Sequence, residues 1–282
     1  MRILRKIIGC LLLLLGLFAG GVGSEASDVY DGITTALGWP DPPMKEGYHL
    51  YFDGLDDIAT IGPFTSLIQN TVEVWIKPAR MGEAVEGAVI VNGGGPRAYC
   101  GSGVSIFAAK RELCYETDPA GCGNDIDICI HYEVDAQWVH IAGTFDGNTS
   151  RIYINGKLIH ELANVTFDSG EWLTLGGYQY FNGSQSLFEG EMDEVRIWNI
   201  VRSEKDIQAT MFSPLTGREE GLVAYWNFDE GHGFRFQNLA GDRYHGILGK
   251  SIDGGSDAPK WIPARSTTGS VGFDGDSSVI GR

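Results

Sequence analysis

Between Thr71 and Lys77 the apolar residues Val72, Val74 and Ile76 alternate with Glu73, Trp75 and Lys77. That period of two predicts a strand with one buried face. The same logic marks Trp138 to Phe145, Trp172 to Leu175, Met192 to Trp198 and Leu222 to Phe228 as strands. Arg151-Ile152-Tyr153-Ile154 and Lys157-Leu158-Ile159-His160 flank Asn155-Gly156. This pair suits a tight hairpin, because both central residues of a type I′ turn must reach positive φ. Further Asp-Gly and Asn-Gly pairs begin at Asp31, Asp53, Asp146, Asp253 and Asp274, and at Asn92 and Asn182. Only one stretch predicts a helix. Ser203 precedes Glu204-Lys205-Asp206-Ile207, so it can cap the first turn, with Asp206 placed favourably for the helix dipole. Many short strands and one short helix predict an all-β fold, an antiparallel two-sheet jelly-roll sandwich in a single domain.

The ends of the chain read differently. Arg2, Arg5 and Lys6 precede an apolar run of 16 residues from Ile7 to Val22, and small residues then offer cleavage after Ser24 or Ala26. Residues 1–26 therefore read as a secretory signal peptide, the run being short of the ~17 to 25 residues of a spanning helix. Ile7-Ile8-Gly9-Cys10 opens the run instead of following it, which excludes a lipoprotein site. No other segment is suited to a bilayer, so no membrane insertion is expected after cleavage. Residues 27–47, with Trp39-Pro40-Asp41-Pro42-Pro43, have a linker composition. The domain is expected over 48–263. Residues 264–282 form a tail or the start of a truncated repeat, since Val271 to Ser278 echoes Leu50 to Asp57.

Charge narrows the function. The chain has 37 acidic residues against 21 Lys and Arg, a net charge of −16. Phosphate backbones and anionic membranes should repel it, which excludes nucleic acid as a partner. Of 282 residues, 40 are Gly, about twice the usual ~7 % share, as a turn-rich β protein requires. Beyond the signal peptide stand Cys100, Cys114, Cys122 and Cys129. An even number in an exported chain predicts two disulfides, and the absence of a CxxC pair argues against zinc. Three connectivities are open. Cys114 and Cys129 lie on candidate neighbouring strands, which favours Cys114–Cys129 with Cys100–Cys122.

Three stretches carry a family resemblance: Leu50 to Asp57 (LYFDGLDD), Trp138 to Leu158 (WVHIAGTFDGNTSRIYINGKL) and Gly190 to Ile207 (GEMDEVRIWNIVRSEKDI). Together they resemble the laminin-G-like and pentraxin-like branch of the concanavalin A-like jelly rolls. Gly221 to Gly231 (GLVAYWNFDEG) resembles the closing strand of that branch. The resemblance covers about residues 48–231, and more loosely reaches Trp261. It implies two packed antiparallel sheets and binding of glycans or other extracellular ligands, often with calcium. Leu175 to Leu187 also resembles the pentraxin calcium loop. Tyr178, Tyr180 and Asn182 stand there in place of that loop's acids, while Gln179 and Gln185 remain. Calcium prefers carboxylates among six to eight oxygens, so this site is expected to be weak or lost.

Enzymes of the same broad fold set the competing expectation. Laminarinase-like glycosidases place three acids on one strand, and Glu191 and Asp193 match the first two. The third position is Val195 by alternation or Arg196 across a bulge, while Glu194 is expected on the opposite face. No good trio results, and no catalytic residue is assigned. Gly93 to Ala98 fits GxGxxA by letter, but no helical pattern follows. His140 reads as a packing residue. Calcium is expected, if anywhere, at Asp53, Asp56 and Asp57, or beside Asp229 and Glu230, although acids in such turns also cap their own backbone. Asn148, Asn164 and Asn182 begin glycosylation sequons. Tyr178, Gln179, Tyr180, Phe181, Asn182 and Gln185 are the candidate ligand-binding residues, rings for a sugar face and amides for its edge. The expectation is a secreted or cell-surface, non-catalytic recognition module. Its ligand would be a glycan or an extracellular protein, the latter suiting an adhesion domain.

Overall fold

The computed structural model describes residues 47–65, 67–79, 86–93, 101–107, 112–117, 126–132, 136–165, 172–179, 185–250 and 255–264. In chain order the strands are β1 (Tyr48–Asp53), β2 (Ala59–Pro63), β3 (Asn70–Pro78), β4 (Glu86–Gly93), β5 (Gly101–Phe107) and β6 (Glu112–Thr117). Then come β7 (Ile126–His131), β8 (Val139–Phe145), β9 (Thr149–Ile154), β10 (Lys157–Ala163), β11 (Trp172–Leu175) and β12 (Gly177–Gln179). The last are β13 (Gln185–Leu187), β14 (Glu189–Trp198), β15 (Leu222–Trp226), β16 (Arg235–Phe236), β17 (Gly246–Leu248) and β18 (Lys260–Pro263). One helix, α1 (Glu204–Thr210), follows β14.

The first sheet runs β10-β9-β8-β3-β14-β1-β18, with β15 also paired to β14. The second runs β16-β17-β2-β11-β4-β5-β6-β7, and β12 pairs with β13 in a separate two-stranded sheet. Among the described residues every strand-to-strand ladder is antiparallel, as the jelly-roll reading requires, with one isolated parallel bridge between Ala59 and Gly249. The hairpin predicted at Asn155-Gly156 joins β9 to β10, with both residues at positive φ (49° and 74°).

Leu50, Phe52, Val74, Ile76, Val139, Ile141 and Met192 of the first sheet are fully buried, as are Ile90, Leu113, Tyr115, Leu173 and Leu175 of the second. Tyr115 spans the two layers. Its ring lies against Gly143 of β8, and its hydroxyl donates to Asn70 Oδ1 at 2.8 Å. Burial raises the Tyr115 phenol pKa far above its ordinary value, so it stays a neutral donor.

One sequence expectation needs correcting. The Glu73, Trp75 face of β3 is not solvated, and Glu73 is 0 % exposed. The helix α1 and the segment after it cover that face. Trp75 Nε1 donates to Met211 O at 2.9 Å, and Ile207 packs on Ala142 and Tyr153. The predicted cap holds the helix start. Ser203 Oγ accepts from Asp206 N, and Asp206 Oδ2 accepts from Ser203 N. Alternation reports that one face of a strand is polar. It is silent on whether another element supplies partners for that face.

Candidate functional site

The turn after β1 gathers the predicted acids. Asp53 Oδ1 accepts from Leu55 N at 2.8 Å and, more weakly, from Asp56 N at 3.4 Å. Asp57 Oδ2 accepts from Asp53 N at 2.8 Å, and Asp56 Oδ2 accepts from Ser256 Oγ at 3.3 Å. One oxygen of each carboxylate lies within 4.8 Å of the others. Asp57 is 2 % exposed. Burial raises its pKa to about 6, with Asp53 and Asp56 adding to the rise and the Asp53 N–H opposing it. Three carboxylate oxygens this close are a set that could hold a hard cation such as calcium. The same hydrogen bonds also show the acids capping their own turn.

At the same end, β12 and β13 form a hairpin, with Tyr178 opposite Ser186 and Gln179 opposite Gln185. Phe188 N donates to Gly176 O at 2.9 Å and closes its base. A Cβ on Gly177 would lie 2.6 Å from Leu187 and 2.8 Å from Ile58, so the hairpin stands against the segment leaving the acidic turn. Residue 178 therefore belongs to a strand, where the sequence suggested a loop. Tyr180, Phe181 and Asn182 lie outside the described residues, and Gln185 is half-buried.

Cys114 and Cys129 form a disulfide between directly opposed positions of β6 and β7. Cys100 and Cys122 lie outside the described residues, so the second bridge stays an expectation.

The acids of β14 are all engaged. Glu191 lies 2.8 Å from His49 Nε2 and 3.0 Å from Lys77 Nζ, and these partners hold its carboxyl below the usual range despite partial burial. Asp193 is 2 % exposed and accepts from Glu194 N at 2.7 Å. Burial and the neighbouring Glu194 push its pKa well up. Glu194 corrects the face expected for it. A bulge skips the β3 pairing between Asp193 and Arg196, and Glu194 sits at φ 51°. It thus shares a side with Arg196, at 2.5 Å from its Nη2, and accepts from Tyr225 Oη at 2.8 Å. The bulge lies where β14 changes neighbour from β1 at Met192 to β15 at Val195. The extra residue is what turns the side chain over.

Arg196 also donates to Thr210 O and Ser213 O, at 3.0 and 2.8 Å. Beside it, Arg202 reaches Glu73 Oε1 at 2.5 Å, Asp206 O at 2.7 Å and Thr210 Oγ1 at 2.9 Å. Burial pushes Glu73 up, but His140, Arg202 and Arg196 outweigh it and hold the carboxyl at about 2. Burial lowers the His140 pKa against the upward pull of Glu73, whose Oε2 lies 3.3 Å from its Nε2, and its ring stands edge-on to Trp75. Sequence reasoning missed this network. Its one sequence trace is Arg202 directly before the helix cap. The other candidate acids, Asp229 and Glu230, serve the backbone, accepting from Tyr48 N at 3.1 Å and Gln237 N at 2.8 Å.

A retaining glycosidase needs an acid/base and a nucleophile ~5 to 5.5 Å apart and open to substrate. Here Asp193 and Glu194 are closed to solvent, Glu191 is held by His49 and Lys77, and Glu194 by Arg196 and Tyr225.

Comparison with known proteins agrees with this architecture. A candidate carbohydrate-binding protein from Bacteroides ovatus superposes with a TM-score of 0.58 at 19 % identity, over 79 % of this chain and 62 % of its own. A heptameric SAP-like pentraxin from Limulus polyphemus gives a TM-score of 0.49 at 16 % identity, over 72 % and 94 % of the two chains. Mouse (Mus musculus) pappalysin-1 is 28 % identical over 99 residues, or 34 % of this chain, which spans only 6 % of that protein's length. The family model of the concanavalin A-like lectin/glucanases superfamily matches residues 49–208, more than half of the sequence. With two eight-stranded antiparallel sheets among the described residues, the chain belongs to that superfamily, in its laminin-G-like form.

Proposed function

We propose that this protein is an exported, non-catalytic recognition module whose ligand is a carbohydrate. The observation that carries the non-catalytic part is the state of β14. The strand that bears the acids in laminarinase-like relatives here spends Glu191 on His49 and Lys77, and Glu194 on Arg196 and Tyr225. Export is supported by the signal-like N-terminus and by the Cys114–Cys129 disulfide, since such bonds persist in oxidising compartments.

The carbohydrate reading draws on a fold shared with the Bacteroides ovatus protein and on the hairpin chemistry. Tyr178, Tyr180 and Phe181 would offer rings to a sugar face, and Gln179, Asn182 and Gln185 amides to its hydroxyls. Asp53, Asp56 and Asp57 would hold calcium at the same end and stiffen the base of that hairpin. Screening the purified chain against a glycan panel, with calcium and with chelator, tests the reading. Binding that the double variant Tyr178→Ala, Tyr180→Ala weakens at least tenfold supports it. A chain that ignores every glycan and captures an extracellular protein instead favours the adhesion role.

A further inference from the structure

Tyr48 and Phe234 are the aromatic side chains left exposed among the described residues, at 36 % and 43 %. Tyr48 lies beside, and Phe234 within, one loop, residues 227–234, which leaves β15 of the first sheet and reaches β16 of the second. A Cβ on Gly231, whose φ is 66°, would fall 2.3 Å from the Tyr48 ring, so the ring lies directly on that glycine's backbone. Two residues on, Gly233 O accepts from Trp261 Nε1 at 2.8 Å, and Phe234 follows. Tyr48 and Trp261 also stand diagonally on paired strands, Tyr48 opposite Pro263 and Leu50 opposite Trp261.

The loop is fixed at both ends. Glu230 Oε1 accepts from Gln237 N at 2.8 Å, and Phe234 O accepts from Leu248 N at 2.8 Å. His232 Nδ1 lies 2.7 Å from Glu230 O, and Asp229 holds both Tyr48 N and Asn227 Nδ2. Rings held in place before a ligand arrives lose little conformational freedom on binding.

We propose that Tyr48, Trp261 and Phe234 form a second carbohydrate-contact surface, on the flank of the sandwich, for an uncharged oligosaccharide. Charge selects that class. Asp229 and Glu230 precede Phe234, Arg235 adjoins Phe234 and Lys260 adjoins Trp261, so two acids and two cations flank the rings along the chain. The net charge of −16 further disfavours sulfated or sialylated chains. A sugar ring offers C–H bonds to an aromatic face and hydroxyls to Asn227, Asp229 and His232 at its edge.

The inference rests on the proposed glycan recognition, and one experiment separates the two. Wild type, Phe234→Ala, Tyr48→Ala and Tyr178→Ala, Tyr180→Ala would be titrated with neutral gluco-, galacto-, xylo- and arabino-oligosaccharides, with a sialylated glycan as the charged probe. Melting temperatures would be taken in parallel. A loss of at least tenfold for Phe234→Ala, with melting unchanged, is the expected result. A like loss for Tyr48→Ala and quenching of Trp261 fluorescence by the sugar would accompany it. Binding that survives both single variants but fails in the hairpin double variant overturns this surface and leaves glycan recognition standing. Wild type that binds none of the sugars overturns both, and preference for the sialylated probe overturns the assignment of an uncharged ligand.

Discussion

Glu73 Oε1 and Arg202 Nη1 meet at 2.5 Å beneath α1, with Glu73 wholly closed to solvent. This contact fastens the centre of the first sheet to the residue that precedes the helix cap. A buried charge left without its partner costs about 3 to 5 kcal/mol. Glu73→Ala should therefore lower unfolding stability by that amount in urea titration. Adding Arg202→Met should recover part of the loss, because the stranded guanidinium is gone. A Glu73→Ala change below about 1 kcal/mol would show that the pair is incidental.

The same carboxyl sets a pH dependence. Its folded pKa is held at about 2, below an ordinary 4.5, so its stabilisation is present above about 4.5 and is lost as pH falls towards 2. Asp193 acts in the opposite sense, since its raised pKa makes its contribution decline as pH rises. Comparing wild type with Glu73→Gln at each pH isolates the Glu73 part. The stability gap between them should shrink by up to about 3 kcal/mol between pH 5 and pH 2. A gap that stays constant contradicts the assignment.

Calcium at the acidic turn makes a separate prediction. A ligand bound only to the native state stabilises by mass action, so millimolar calcium should raise the melting temperature over that in chelator. Asp57→Asn should abolish the difference, while its amide oxygen can still accept from Asp53 N. Identical melting in calcium and chelator would leave the three acids as a self-capped turn.

The disulfide between β6 and β7 closes a loop of 15 residues. The chain-entropy model gives about 3 kcal/mol for such a loop. Replacing both Cys114 and Cys129 by Ser should cost roughly that in denaturant titration. Thiol counting on the unfolded, unreduced chain should find none free if Cys100 and Cys122 also pair. Two free thiols would remove the second bridge.

Much of the fold was legible because its signals are local. The Asn155-Gly156 turn, the Ser203 cap and the alternation in β3 each depend on residues within a few positions. Glu194 was misplaced because one inserted residue at a bulge inverts every later side chain, and only pairing with β3 reveals it. The acids at Asp53, Asp56 and Asp57 were legible as a group, being close in sequence. Tyr48, Phe234 and Trp261 were not, because nearly two hundred residues separate strands that end beside one loop. The covered polar face of β3 was missed for the same reason, since Arg196 and Arg202 come from far along the chain.

On the proposed reading the fold binds an oligosaccharide without cleaving it, Glu191 and Glu194 of β14 being engaged within the fold. That reading is tested most directly with an oligosaccharide shown to bind by calorimetry, incubated with excess protein at 25 °C and then weighed by mass spectrometry. Saturable binding and an oligosaccharide of unchanged mass after prolonged incubation are the expected results. Shortened products that appear with wild type and vanish with Glu191→Gln would contradict it.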